Sequence, residues 1–247
     1  MARSIDSTWE STAFRRPGAW RFFFSALALL YIAVALIGFF PNLLRYSAGQ
    51  LELSRAALAH GALMLGWLSL LFAQASLPAF GRLAAHRRLG LAAAWFAVAI
   101  WLSMIVVSIN QIARLRPPEG HNLLNILLLQ IQAALLFPLF LGWAVAARRR
   151  PNWHKRLIVF AMFVPLGAAV DRMQWLPVGG IEGQWPWFLY LDLLLVPLWL
   201  FDYVSLRRPH PCTLQGTVIV LATQLVVVTL WNNPGWHRLV HQLFTNT

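Results

Sequence analysis

Cysteine, acidic side chains and extended polar stretches are what this 247-residue chain lacks. Its one cysteine, Cys212, rules out an internal disulfide and any zinc or iron–sulfur site built on several thiolates. Only 8 Asp and Glu stand against 20 Lys and Arg, and charged residues make up 11% of the chain, where a soluble domain has about 25%. There is no Walker loop, no dinucleotide-binding glycine pattern after a strand and no nucleophile elbow. No polar stretch is long enough to form a soluble domain beside the apolar segments. What the chain has in abundance is apolar residues, at 59%, and tryptophan, at thirteen copies. Trp favours membrane interfaces, where its ring is buried and its N–H stays wet.

A bilayer core about 30 Å thick calls for roughly 20 apolar residues in a helix. Seven segments qualify: Phe22–Phe40, Ala56–Phe80, Leu89–Ile109, Leu123–Ala147, Leu157–Pro177, Trp187–Val204 and Leu214–Trp231. The expected fold class is therefore all-α, an integral membrane bundle of about seven transmembrane helices. Residues 1–21 form an N-terminal segment, 22–231 the membrane domain with spans two to five (56–177) as its core, and 232–247 a short tail. The first span is too long for an ordinary signal-peptide core and lacks a convincing small-residue cleavage site, so it is read as a helix. Pro138, Pro165 and Pro197 lie inside spans and predict kinks, since neighbouring helices can satisfy the freed carbonyls.

In a soluble protein a net charge of +12 would point to nucleic acid. Here the basic residues sit in short runs between spans, so no nucleic-acid partner is expected and the charge is read as topology. With the N-terminus inside, one side holds Arg3, Arg15, Arg16, Arg21, Arg82, Arg87, Arg88, Arg148, Arg149, Arg150, Lys155, Arg156, Arg207 and Arg208. The other holds Arg45, Arg55, Arg114, Arg116, Arg172 and Arg238. Fourteen against six is a positive-inside signal: N-terminus cytoplasmic, C-terminus outside.

One internal repeat carries chemistry. Arg82-Leu83-Ala84-Ala85-His86-Arg87-Arg88-Leu89 leads into span three, and Arg150-Pro151-Asn152-Trp153-His154-Lys155-Arg156-Leu157 leads into span five. Both read R-x-x-x-H-[RK]-R-L at the start of an outgoing helix, each histidine three residues before its apolar run. His60 lies about one turn into span two from the other side, and His121 stands just before span four on that same side. Two imidazoles from different helices at one depth are what a six-coordinate haem iron needs. Four consecutive spans thus offer an outer pair, His60 and His121, and an inner pair, His86 and His154. Arg82 and Arg150, with Arg87 and Arg156, stand where inner haem propionates would need cations.

This order of histidines resembles the cytochrome b561 type of membrane cytochrome, whose four-helix core carries one His on each of its second to fifth helices. The resemblance is one of spacing. It implies two b-type haems and electron transfer across the membrane, with a quinol or another redox protein as partner. In wording, His86-Arg87-Arg88-Leu89-Gly90, His154-Lys155-Arg156-Leu157 and Arg208-Pro209-His210-Pro211 look like motifs of uncharacterised multi-pass bacterial membrane proteins. That similarity implies the inner membrane of a bacterium and brings no known chemistry.

Other polar residues leave further readings open. Asp171, Arg172 and Asp192 fall in the outer halves of spans five and six, and an Arg172–Asp192 ion pair would make their burial tolerable. Asp202 lies near the inner end, within reach of Arg207 or Arg208. Gln74, Gln130, Gln132 and Gln224 are expected to bond between helices. His237 and His241 form an H-x-x-x-H whose members share a helix face and can grip one metal ion. That pair resembles the seven-helix hydrolases of the alkaline ceramidase and adiponectin-receptor type, and the resemblance implies zinc, with His60 and Asp171 completing the site, and a metal-dependent lipid hydrolase. The remaining alternative is a non-catalytic membrane subunit or assembly factor that binds no cofactor, the bilayer being its main partner and oligomers being open to it.

Overall fold

In a computed structural model the described residues are 19–112, 120–180 and 182–244. Side chains at 19, 112, 120–122, 241, 243 and 244 are outside that description. Among the described residues there are helices and turns, without strands. The main helices are α1 (Phe23–Ser47), α2 (Arg55–Ala79), α3 (Leu83–Ile112), α4 (Gly120–Ala146), α5 (Pro151–Phe163), α6 (Trp185–Leu193), α7 (Val196–Leu206), α8 (Pro211–Leu230) and α9 (Pro234–Phe244). Seven stretches are long and apolar enough to cross a membrane; the fifth is α5 with its continuation to Val170, and the sixth is α6 with α7. Large apolar side chains such as Ile37, Leu91, Leu102, Leu135, Leu189 and Val218 are exposed on the outside of the bundle. Acyl chains are the solvent that such a surface fits.

Two antiparallel hairpins organise the bundle. Helices α2 and α3 pack along their length as one pair, α4 and α5 as the other, and α1 and α8 lie against these pairs. The inner core is aromatic and branched: Trp67, Ile100, Phe137, Phe140, Leu157, Phe160 and Phe163 are buried. At Gly216 a side chain would collide with the Phe160 ring, so α8 rests directly on α5 through that missing Cβ. Of the most apolar window of the fifth span 56% is buried, against 17% for α2, which makes α5 the central helix.

The prolines act differently from one another. Pro138 sits in an unbroken α4. At Pro165 the fifth span tightens into a 3-10 turn, Val164–Leu166. Pro197 goes further than a kink and divides span six, because its ring displaces the preceding turn and it has no N–H to give. The Tyr31 hydroxyl, from α1, donates to the carbonyl of Leu194 at this break, at 3.1 Å.

Hydropathy placed several helix starts too late. The third span begins at Leu83 and the fifth at Pro151, so His86 and His154 lie within the first helical turns. Those turns are basic and polar, and read as loop to any apolar window, yet they continue the helix. The tail carries a helix of its own. Helix α9 lies on α4, with Val240 against Leu124 and Leu127, and the Trp236 indole donating to the Leu124 carbonyl at 3.0 Å.

Candidate functional site

At the basic end the two repeats meet. The rings of His86 and His154 are 6.2 Å apart between centres and inclined at 83°. Each is tethered in the same way to the helix that precedes it. His86 Nδ1 lies 3.0 Å from the main-chain oxygen of Gln74, and His154 Nδ1 lies 2.8 Å from that of Ala144. Both carbonyls are short of a helical donor. The one at Gln74 would bond the N–H of residue 78, which is Pro78 and has none. The one at Ala144 is in the last turn of α4, where carbonyls run out of partners. With only an acceptor facing its Nδ1, His154 donates Nδ1–H and keeps its lone pair on Nε2, the tautomer that a metal ligand needs. The Gln74 side chain also touches His86. With its amide nitrogen turned toward the ring it is 2.8 Å from Nδ1 and 3.2 Å from the His86 carbonyl, while its oxygen takes the Gly90 N–H at 2.8 Å. His86 Nδ1 thus stands between an acceptor, the Gln74 main-chain carbonyl, and a donor, the Gln74 side-chain amide.

The spacing suits a shared iron. At this separation of ring centres both residues could hold a single metal ion, with about 2 Å from metal to each nitrogen. Of the cations foreseen for propionates, Arg82 and Arg150 are exposed, one turn before their histidines. Arg87 is exposed as well, but Arg156 is engaged elsewhere.

At the opposite end His60 repeats the pattern singly. Ser103 donates its hydroxyl to the Ile100 carbonyl at 2.6 Å, so it receives His60 Nδ1–H at 2.8 Å, and Nε2 again carries the lone pair. The His121 side chain, foreseen as the partner of His60, lies outside the described residues. The same holds for His241. His237 Nε2 stands 3.3 Å from the Asn125 side-chain oxygen, which also accepts the Asn232 N–H at 2.9 Å. Among the described residues, no three His, Cys, Asp or Glu side chains come close enough to hold one metal ion.

The charges at this opposite end are arranged otherwise than the sequence suggested. Arg172 and Asp192 are not partners. Arg172 lies past the last helical turn, donates to the Ala168 carbonyl and covers the Phe39 ring at 4.6 Å. Asp192, on α6, faces α8 and accepts from Gln224 at 2.9 Å. The half-buried Asp171 has its carboxyl pushed above the usual range by burial, opposed by the Gln184 amide and the neighbouring Arg172. Gln132 bonds Thr223 at 2.9 Å and Gln130 bonds Gln111 at 2.5 Å, so these amides do join helices.

Sequence reasoning missed one cluster. Arg156 and Asp202 form a fully buried ion pair between α5 and α7, in place of the pair expected with Arg207 or Arg208. Arg207 instead ends α7 in the left-handed conformation, at φ 58°. Asp202 also accepts the His210 N–H at 3.1 Å and the Thr213 hydroxyl at 2.5 Å. Arg156 donates further to the Asn152 carbonyl at 2.7 Å. His210, between α7 and α8, caps α8 by accepting the Cys212 N–H on Nδ1 at 3.1 Å. Burial, then the nearby Arg156 and Lys155, push its pKa down to about 3. The Arg208-Pro209-His210-Pro211 motif was the visible signal. Pro211 stands at the first helical position ahead of an apolar run, which marks a helix start and places His210 at the cap.

No family model, curated protein or solved structure matches the chain.

Proposed function

We propose that the chain is a membrane haem protein, in which His86 and His154 ligate one b-type haem at the basic end and His60 and His121 a second at the other. The observation that carries this reading is the paired tether. Two repeats fix two imidazoles 6.2 Å apart between ring centres, each with Nδ1 against a main-chain carbonyl near the end of the preceding helix. Bound haem would supply a one-electron Fe(III)/Fe(II) couple. The chain's own residues orient both ligands, and Arg82 and Arg150 offer charge to carboxylates at the basic end. His60, held by Ser103, has the tautomer for the same role. Electron transfer between the two sides of the membrane, from a quinol or a protein donor, follows as the activity.

The setting proposed with it is the inner membrane of a bacterium, N-terminus cytoplasmic and C-terminus periplasmic, from the basic asymmetry. Reporter fusions after Arg88 and at Asn246 test it, with inside and outside signals expected. An inside signal at both would reverse the C-terminal half.

A second reading has its own support. Imidazoles that satisfy bare carbonyls, beside a buried Arg156–Asp202 pair, also suit a membrane scaffold without a cofactor. Purification from haem-replete cells separates the two. A Soret band in proportion to protein supports the haem reading; a colourless, folded protein leaves the scaffold.

A further inference from the structure

The two repeats present the same residue to different surroundings. Arg156 of the second repeat is buried and neutralised by Asp202, with Thr213 of α8 on the same carboxylate. Its counterpart in the first repeat is Arg88, which is exposed, and among the described residues no side chain pairs with it. Beside it lies a shallow concavity of about 710 Å³ walled by Arg82, Ala84, Ala85, Arg88, Leu89 and Ala92. An adjoining one of about 570 Å³ runs along Ala73, Ser76, Leu77 and Phe80 and shares Arg82 and Leu89. Small side chains hollow the groove, two guanidiniums rim it, and the remainder is hydrocarbon.

We infer that this groove holds one anionic glycerophospholipid from the leaflet at the basic end, its phosphate on Arg88 and Arg82 and an acyl chain along Leu77, Leu89 and Ala92. The lipid phosphate does for the first repeat what Asp202 does for the second. Charge selects the occupant. Guanidiniums bind phosphate through paired N–H donors, and anionic headgroups are concentrated where membrane proteins place their cations. A second copy of the chain has little to offer, because Asp202 is the only carboxylate at this end among the described residues and it is already engaged. The combination of a charged rim with an apolar wall also fits an amphiphile better than a free anion.

The proposal is independent of the haem reading except at Arg82, which both use, so the test is placed on Arg88. The full chain is purified in neutral detergent, stripped of lipid and titrated with phosphatidylglycerol, and retention is read by native mass spectrometry. One phosphatidylglycerol should be held in preference to phosphatidylcholine. Arg88→Gln should weaken it about five-fold, the factor that one basic residue near a charged surface confers. Arg88→Lys should keep most of the affinity, and Leu89→Trp, which fills the groove and leaves the charge, should also weaken retention. Arg148→Gln, exposed at the same end but outside the groove, should change nothing. Unchanged retention in both Arg88→Gln and Leu89→Trp would overturn the site, as would equal retention of phosphatidylcholine. Displacement of the lipid by millimolar sodium phosphate would mean a free-anion site and would equally overturn it. Unaltered helical circular dichroism in each variant guards against misfolding as the cause.

Discussion

The two hairpins begin from one sequence pattern and end in different environments. In α2 and α3, 17% and 22% of the most apolar windows are buried; in the fourth and fifth spans the figures are 39% and 56%. The histidines do not register this difference, since His86 and His154 make the same bond to the helix before them. The arginines two residues later register it fully. Arg88 faces the surface, whereas Arg156 is sealed under α7 and α8 and would be untenable without Asp202. A repeat thus keeps its ligand geometry while its flanking charges adapt to whatever covers them.

The sharpest way to break the comparison is to remove Asp202. A buried pair deprived of one partner costs about 3–5 kcal/mol, because the remaining charge stays desolvated. Asp202→Ala should therefore collapse folded yield and thermal stability, and Arg156→Met with Asp202→Leu should recover part of both. Arg88→Met, at the matching position of the first hairpin, should stay within about 0.5 kcal/mol of wild type, as exposed substitutions do. Equal losses at Arg88 and Arg156 would mean that the two hairpins are not differently covered.

A smaller effect is expected from the packing that covers the second hairpin. Gly216→Val thrusts methyl groups into the Phe160 ring, an overpacking of about 1–3 kcal/mol read as a lowered thermal midpoint. At the first hairpin Gly66→Ala meets only the edge of Phe96, at 3.4 Å, and should be nearly silent. If both proved silent, α8 would not rest on α5 as described.

The smallest effect is one of pH. His210 titrates near 6.5 when unfolded and at about 3 when folded, so between these values the unfolded chain holds the extra proton. Its contribution to stability is complete above the unfolded pKa and is lost as pH falls from about 6.5 toward 3. Unfolding midpoints followed from pH 7.5 to 5 should decline with a slope of at most one proton. His210→Asn, which can still cap α8, should flatten that slope. A slope unchanged in the variant would assign the proton elsewhere.

What the sequence displayed well was whatever depends on local pattern. Seven apolar runs gave seven spans, and the R-x-x-x-H-[RK]-R-L repeat marked two histidines that the fold brings into ring contact. It displayed poorly whatever depends on which helix lies beside which. Asp202 seemed destined for Arg207 or Arg208 because they are five and six residues away, yet the partner is Arg156, 46 residues earlier, across a helix interface. Asp192 and Arg172 failed as a pair for the same reason. Matching depth in the membrane does not fix rotation about the helix axis, and Asp192 turns toward Gln224. Pro197 was visible, but whether a proline bends or divides a helix depends on a donor such as Tyr31 reaching the freed backbone.

The central claim is that the two tethered imidazoles are ligands of one iron. The most direct measurement is the visible spectrum of the full chain purified from haem-replete cells, beside His86→Ala, His154→Ala and His237→Ala. The account predicts a Soret band with the sharp reduced α-band of two-histidine haem. The first two substitutions should each remove the same spectral component, because either one empties an axial position of the same iron. His237→Ala, whose ring is held by Asn125 at the far end, should leave the bands intact. A wild-type protein without Soret absorption, or one whose bands survive both His86→Ala and His154→Ala, would contradict it.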